Sequence, residues 1–395
     1  MFSLFSTMDI MGRLSEVAVY ALGIIVTLIL FALSYQLVLH PLKNYPGPFI
    51  AKFTDGYGGY HAVKKRLHLA TYFDHLKYGP VYRQAPNRLV FNTSSASRVA
   101  WPIMSKTWPL LRRLNQKNGV AFSKSIQSII QKRVALPQDA KHDFYSIAGG
   151  EVGEGIESLG RSELWAEAVF FIPAGGTTLS AALSSLFFYL SRHPTANTLL
   201  ATEIRDTFSS GLDIKSGAQL SSCKYLRACI DETLRMSPPF LATFWREPYS
   251  DHTEPFVVDG HVIPHGTMVG VNPYCVMHNE EYFPEPFAFR PERWLASEEG
   301  SFRQQLTSHL LNSTPKEEQN LASMRAAFAP FALGDTGCLG KAMAYHETSL
   351  AIAKTLWVDE YQLLDLAVAD HDGPNLVVAP RKEYWRELSD GGLKV

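Results

Sequence analysis

The fold class this sequence predicts is mainly α with small β-sheets, led by an N-terminal transmembrane helix. Three observations predict it. Residues 17–39 carry no charge and are long enough to cross a bilayer. Two long runs, 164–193 and 341–357, are apolar and helix-forming. Residues 79–98 and 240–271 alternate apolar and polar side chains around turn signals, the pattern of small sheets.

The 395 residues suffice for one large or two medium domains. Lysine plus arginine (37) nearly balances aspartate plus glutamate (38), and no basic block occurs, so nucleic acid is not an expected partner. The four cysteines, Cys223, Cys229, Cys275 and Cys338, form no C-x-x-C pair and match no zinc spacing. Free thiols in a reducing compartment are expected. Cys275 sits in a strand-like apolar run and is expected to be buried.

At ~1.5 Å rise per residue, stretch 17–39 spans about 34 Å against a hydrocarbon core of about 30 Å. A signal peptide would have a shorter apolar core ending at small residues; this one ends in QLVLHPLKNYPGP. Arg13 and Glu16 nearly cancel before it, while Lys43, Lys52, Lys64, Lys65 and Arg66 follow. The positive side is C-terminal, which predicts a single-pass anchor with the bulk of the chain in the cytosol. Pro41, Pro46, Gly47 and Pro48 then stop the helix from continuing into the next region.

Residues 54–77 have helical character, and a hairpin with a turn at Pro86-Asn87 follows. Glycine- and glutamate-rich residues 149–160 read as a loop, as do polar residues 301–320. The 164–193 helix is expected to break at Pro173, Gly175 and Gly176. Glu167, the Gly-Gly-Thr-Thr interruption and the serine pattern argue against a second membrane span, so it reads as a central core helix. Thr177 is either a functional hydroxyl or one bonding back to the preceding turn.

Glu232 and Arg235 lie three apart on a helix whose apolar residues, Tyr225, Leu226, Cys229, Ile230 and Leu234, predict a buried face. A buried pair needs a further partner, and Arg293 in FRPERW (289–294) can supply it. The alternating run 240–271 has a hairpin signal at Asp259-Gly260. In PFALGDTGCLGKAMAYHE (330–347), Phe331, Gly334, Cys338 and Gly340 follow the pattern F-x-x-G-x-x-x-C-x-G ahead of a helix. Loop N–H groups and a helix N-terminus lower a thiol pKa and suit it to metal ligation. Gly340 and Ala342 leave room for a flat macrocycle. The alternative is a buried free cysteine in a tight turn. A closing β-pair follows the last helix.

Taken in order, the threonine segment, E-x-x-R, FRPERW and the cysteine loop resemble those of the cytochrome P-450 monooxygenases. The resemblance covers residues 162–395 together with the anchor, hinge and first hairpin. It implies the cytochrome P-450 fold, with heme b held by Cys338 as axial thiolate, which favours O–O cleavage. Phe331, Gly334 and Gly340 would shape the cofactor loop, and Arg246 would pair a propionate. His278 also has a family counterpart near the propionates or the adjoining loop. Thr177 would hold water and relay protons to dioxygen. Glu232, Arg235 and Arg293 would form a structural network beneath the loop, and the closing strands near Asn375 and Leu376 would line the substrate cavity.

The implied partners are a lipophilic small molecule, dioxygen, an NADPH–cytochrome P-450 reductase and the membrane. The implied location is the endoplasmic reticulum. The wording of the motifs is closest to fungal members that act in secondary metabolism. The expected domains are 1–39 (with the anchor at about 17–39), a hinge and β-containing region 40–100, a shortened region 101–163, and a haem-binding core 164–395.

The chain also departs from the family. Only residues 101–165 stand where members spend well over a hundred, so part of the helical substrate-recognition lobe is expected to be missing. Trp108 to Arg112 has the family's W-x-x-x-R spacing, but Pro109 follows the tryptophan. Gly176 replaces the usual acid, and Thr336 stands where a basic residue pairs a propionate. Two alternatives follow: a truncated, non-catalytic relative with poor haem retention, or a haem-thiolate isomerase or dehydratase that needs no dioxygen.

Overall fold

The computed structural model describes residues 19–96, 116–137, 140–141, 143, 145–146, 161–248, 254–295, 322–334, 337–364 and 375–380. Its helices are α1 (Val19–Leu39), α2 (Gly56–Val63), α3 (Leu67–Tyr78), α4 (Gln116–Val134), α5 (Arg161–Arg192), α6 (Pro194–Thr207), α7 (Lys224–Met236), α8 (Pro273–Met277) and α9 (Lys341–Val358). The strands are β1 (Val81–Ala85), β2 (Arg88–Phe91), β3 (Phe244–Arg246), β4 (Val257–Val258), β5 (His261–Val262), β6 (Met268–Val271), β7 (Asp359–Leu364) and β8 (Asn375–Pro380). The described residues are mostly helical with small sheets and fall into two compact units.

The first unit draws on residues 1–103, 241–279 and 333–336. Helix α1 is apolar and exposed along its length, as a candidate span should be, and its last turn, Tyr35–Leu39, is π-wound. It ends where His40 turns extended (φ −62°, ψ 137°) ahead of Pro41. The helix is tied to the sheet through Arg83, fully buried on β1. Arg83 Nη2 donates to Gln36 Oε1 (2.6 Å), to His40 Nδ1 (3.1 Å) and to the Pro86 carbonyl (2.8 Å). His40 Nδ1 also accepts the Leu42 N–H at 3.0 Å, so its proton sits on Nε2, which faces Asn87 Oδ1. Burial and then Arg83 push the His40 pKa down. The hinge packs onto β1: Arg83 N–H donates to the Pro46 carbonyl at 2.7 Å. A Cβ on Gly47 would lie 2.3 Å from the Arg83 carbonyl oxygen, so only glycine fits there.

The helical stretch expected at 54–77 is two helices, parted where Lys65 takes a left-handed φ of 56°. The predicted hairpin forms around Pro86-Asn87, and the four-stranded sheet runs in the order β1-β2-β6-β3. Strand β6 is parallel to β2 and antiparallel to β3. Strands β4 and β5 join through Asp259 (φ 50°) and Gly260 (φ 77°), the mirror-image turn that this dipeptide favours. Cys275 is buried as expected but lies on α8, not on a strand. The Asn272 side chain accepts the Tyr274 N–H at 3.1 Å and starts a helix where Pro273 cannot continue a strand ladder.

The second unit draws on residues 104–240, 280–332 and 337–395. Its core is built where α5, α6, α7 and α9 pack around Leu186, Leu190, Leu200, Ile204, Ile230 and Ile352. A carboxylate from α6 caps α7: Glu203 accepts the Tyr225 and Leu226 N–H groups, each at 2.8 Å. Strands β7 and β8 pair antiparallel from Asp359↔Pro380 to Leu364↔Asn375, which makes the closing β-pair.

The break expected in α5 does not occur; the helix runs from Arg161 through Arg192 with Pro173 inside it. Proline forfeits one helical hydrogen bond, and Gly175 and Gly176 weaken propensity. The C-terminal half of α5 offsets those losses by burying Ala182, Leu186 and Leu190.

Candidate functional site

The cysteine loop is closed by its own backbone. Cys338 N–H donates to the Phe331 carbonyl at 2.8 Å, across a turn in which Ala332 (φ 58°) and Gly334 (φ 71°) are left-handed. Gly334 tolerates this freely, while Ala332 is held there against its preference. After Cys338 the chain enters α9, where Ala344 N–H reaches the Gly340 carbonyl at 2.8 Å.

The thiol is exposed, so the reading of a buried cysteine in a tight turn does not hold. The other three cysteines are buried, and burial pushes the Cys223, Cys229 and Cys275 thiols up, away from reactivity. A Cβ on Gly340 would meet only the Cys338 sulfur, at 3.7 Å. Gly340, just ahead of α9, is therefore open backbone beside an exposed thiol, a place where a flat macrocycle can lie. Among the described residues no group of three or more His, Cys, Asp or Glu could hold a metal ion. The exposed Cys338 sulfur beside the open Gly340 backbone fits haem, whose iron Cys338 would hold.

On α5 the Thr177 hydroxyl is exposed and donates to the Pro173 carbonyl at 2.5 Å. Thr178 does the same to Ala174 at 2.6 Å. The threonine bonds back to the preceding turn, and a hydroxyl that donates there still has lone pairs for water. Cβ atoms on Gly175 and Gly176 would meet nothing within 4 Å, so this face of α5 is open.

Glu232, Arg235 and Arg293 come together. Arg235 grips the Glu232 carboxylate through both Nε (3.0 Å) and Nη2 (2.9 Å), and both side chains are fully buried. Arg293 Nε adds a third donor at 3.1 Å. The remaining donors are satisfied by carbonyls, Arg235 by Pro286 (2.7 Å) and Arg293 by Pro284 (2.9 Å). Two further donors escaped the motif reading: the Trp294 indole N–H (2.9 Å) and the Arg290 backbone N–H (3.0 Å). The tryptophan stood in the FRPERW motif, and its indole N–H was the available signal. Every acceptor site of a charge withdrawn from water is thus occupied, the condition for burying it.

Arg246 and His278 belong to the first unit. Arg246 is buried on β3, its pKa lowered by that burial, with Nη1 donating to the Trp245 carbonyl at 3.1 Å. His278 is buried at the end of α8, stacked on Tyr274 with ring centroids 4.0 Å apart. Its Nδ1 lies 2.8 Å from the Tyr274 carbonyl. Trp108, Arg112, Thr336 and the loops 149–160 and 301–320 lie outside the described residues.

A family model described as Cytochrome P450 matches residues 80–379. Among curated proteins, the chain is 33% identical to cytochrome P450 monooxygenase apf7 of Gibberella fujikuroi over 293 residues, covering 70% of this chain and 51% of the relative. It is 43% identical over 205 residues to cytochrome P450 monooxygenase apf8 of the same organism, covering 51% and 50%. Cytochrome P450 monooxygenase poxM of Penicillium oxalicum is 26% identical over 510 residues, covering 92% and 93%. The chain spans about half the length of the first two.

Proposed function

The chain belongs to the cytochrome P450 family, and from that premise we propose that it is a membrane-bound haem-thiolate monooxygenase acting on a lipophilic small molecule. The observation that carries the reading is the exposed Cys338 thiol beside the open backbone of Gly340, just ahead of α9. Haem bound there supplies dioxygen activation, with electrons from an NADPH–cytochrome P450 reductase.

The chain's own residues position and protonate. Cys338 presents its sulfur from a loop that the Phe331 carbonyl closes. The Glu232, Arg235 and Arg293 network fixes residues 290–294, whose Trp294 packs on Phe328 ahead of that loop. Thr177 Oγ1, whose own hydrogen goes to the Pro173 carbonyl, would accept a hydrogen bond from water and hold that water as the proton donor, with Gly176 in the acid's place. By the resemblance, Arg246 would be the residue that supplies positive charge for a propionate.

The exposed apolar α1, followed by five basic residues from Lys43 to Arg66, supports an anchor in the endoplasmic reticulum with the catalytic part in the cytosol. Ala166–Arg192 of α5 is also long and apolar enough to cross, and the burial of Ala182, Leu186 and Leu190 in the core supports a single pass. The fungal monooxygenases among the relatives support a substrate drawn from secondary metabolism.

The test is the carbon monoxide difference spectrum of the reduced, membrane-expressed protein, with Cys338→Ala as control. A red-shifted thiolate-type Soret band that vanishes in the control is expected. Its absence from folded, inserted wild-type protein would remove the enzyme reading.

A second reading is a shortened relative that holds haem poorly. The alignment to the Penicillium relative extends over 510 positions, more than the 395 residues of this chain, which supports a missing segment. Exposed Val169, Phe170 and Phe171 on α5 are an apolar stretch that such a segment would cover. A haem-to-protein ratio well below one in purified, folded protein would favour it.

A further inference from the structure

Asp231 precedes Glu232 on α7 and takes different partners. Its Oδ1 accepts the Tyr345 hydroxyl at 2.6 Å, and its Oδ2 accepts Arg227 Nε at 2.9 Å. Arg227 also lies 3.6 Å from the centroid of the Tyr345 ring, so the guanidinium covers the aromatic group to which the acid joins it. Tyr345 is buried in the second turn of α9, and its ring meets Phe331 with centroids 5.1 Å apart. The Phe331 carbonyl is the acceptor that closes the Cys338 backbone. The contacts therefore run without a gap from Arg227 through Asp231, Tyr345 and Phe331 to Cys338, all within the second unit.

An acid at this place is costly. Burial pushes the Asp231 carboxyl up, against the pull of Arg227, and an apolar residue would pack there without that penalty. What an apolar residue cannot do is set the rotation of a neighbouring helix. A short charge-assisted hydrogen bond to a tyrosine hydroxyl fixes both the depth and the turn of α9 against α7. Adjacent positions on a helix point about 100° apart, so Glu232 and Asp231 serve different segments. Glu232 holds 290–294, and Asp231 holds the start of α9.

We propose that Asp231, with Arg227 and Tyr345, is a positioning group for the Cys338 loop, setting the orientation of the first turns of α9 and, through Phe331, the carbonyl that closes the loop. The proposal concerns the loop itself; only its consequence for a bound haem rests on the monooxygenase reading.

Hydrogen exchange of the full chain in detergent micelles tests it. Tyr345→Phe keeps the ring on Phe331 and deletes the hydroxyl; Asp231→Ala deletes the acceptor; Asp231→Asn keeps an acceptor. Amides within 337–345 should exchange about fivefold faster in the first two variants, the scale of one lost hydrogen bond. Those of α6 should be unchanged, the Asn variant should fall between, and the double variant should add nothing to Asp231→Ala. In the carbon monoxide difference spectrum, the first two variants should also shift part of the thiolate-type band to shorter wavelength at equal haem content.

Unchanged exchange at 337–345, or an increase spread evenly over α5, α6 and α7, would reduce the trio to ordinary packing and overturn the proposal. If the wild type shows no thiolate-type band, the functional reading falls, and the exchange result still decides this one.

Discussion

Trp294 donates its indole N–H to Glu232 at 2.9 Å, so the acid that pairs two arginines also anchors an aromatic ring 62 positions away. That ring packs on Phe328, with centroids 4.6 Å apart, just ahead of the cysteine loop. Two substitutions separate charge from packing. Glu232→Gln leaves Arg235 buried beside a neutral partner and should cost about 3–5 kcal/mol. Trp294→Phe keeps a ring on Phe328 and loses one hydrogen bond to a charged group, about 1.5–3 kcal/mol. Thermal unfolding of solubilised protein reads both; equal midpoints for Glu232→Gln and wild type would refute a structural role for the acid.

His75 makes stability depend on pH. Its Nδ1 faces the Gly79 carbonyl at 3.0 Å, its ring meets Tyr82 edge-on, and Nε2 finds no partner among the described residues. Burial holds its pKa at about 4, below the ordinary 6.5, with the Gly79 contact pulling weakly the other way. The unfolded chain therefore takes up this proton at higher pH than the folded one. Stability should be fully present above pH 6.5 and fall by roughly 3 kcal/mol as pH drops toward 4. His75→Gln should flatten that window in a plot of unfolding midpoint against pH. An unaltered slope would assign the acid sensitivity to other groups.

Thr177 should matter to chemistry and not to folding. It is exposed, and among the described residues its hydroxyl bonds to the turn before it. Thr177→Val should change stability by no more than about 0.5 kcal/mol. If the hydroxyl passes protons, the variant should consume NADPH while releasing more hydrogen peroxide and less product, with Thr177→Ser close to wild type. Product formed per NADPH is the quantity to measure, and an unchanged ratio in Thr177→Val would remove the residue from the proton path.

What was legible in the sequence was carried by short-range rules. Three-residue spacing put Glu232 and Arg235 on one helix face. Asp259-Gly260 encoded its turn, and the glycines of the cysteine loop marked both the reversal at Gly334 and the open backbone of Gly340 just ahead of α9. What was missed depends on tertiary packing. Pro173 does not break α5 because Ala182, Leu186 and Leu190, about two and a half to five turns later, bury enough surface to hold the helix together. Cys275 lies in an apolar run too short for periodicity to separate helix from strand, and the Asn272 cap decides for helix. The bond from Tyr345 to Asp231 joins positions 114 apart and leaves no local pattern. The resemblance to a family supplied the proposed role of Cys338; the loop alone already favoured a ligand and left a tight-turn cysteine as the lesser alternative.

The hinge has a consequence for handling this protein in solution. Strand β1 is last in its sheet, and the Arg83 N–H on its outer side is taken by the Pro46 carbonyl, with Gly47 pressed against the same residue. The segment usually discarded with a membrane anchor thus also covers an edge strand whose five residues are all buried, and prolines are among the residues that keep such edges from pairing with other chains. A soluble form cut after Pro48 would keep Cys338, Thr177 and the Glu232 network, yet leave that edge free to recruit a second copy into a continuous sheet. A cut before Tyr45 removes the greasy helix and leaves the guard in place.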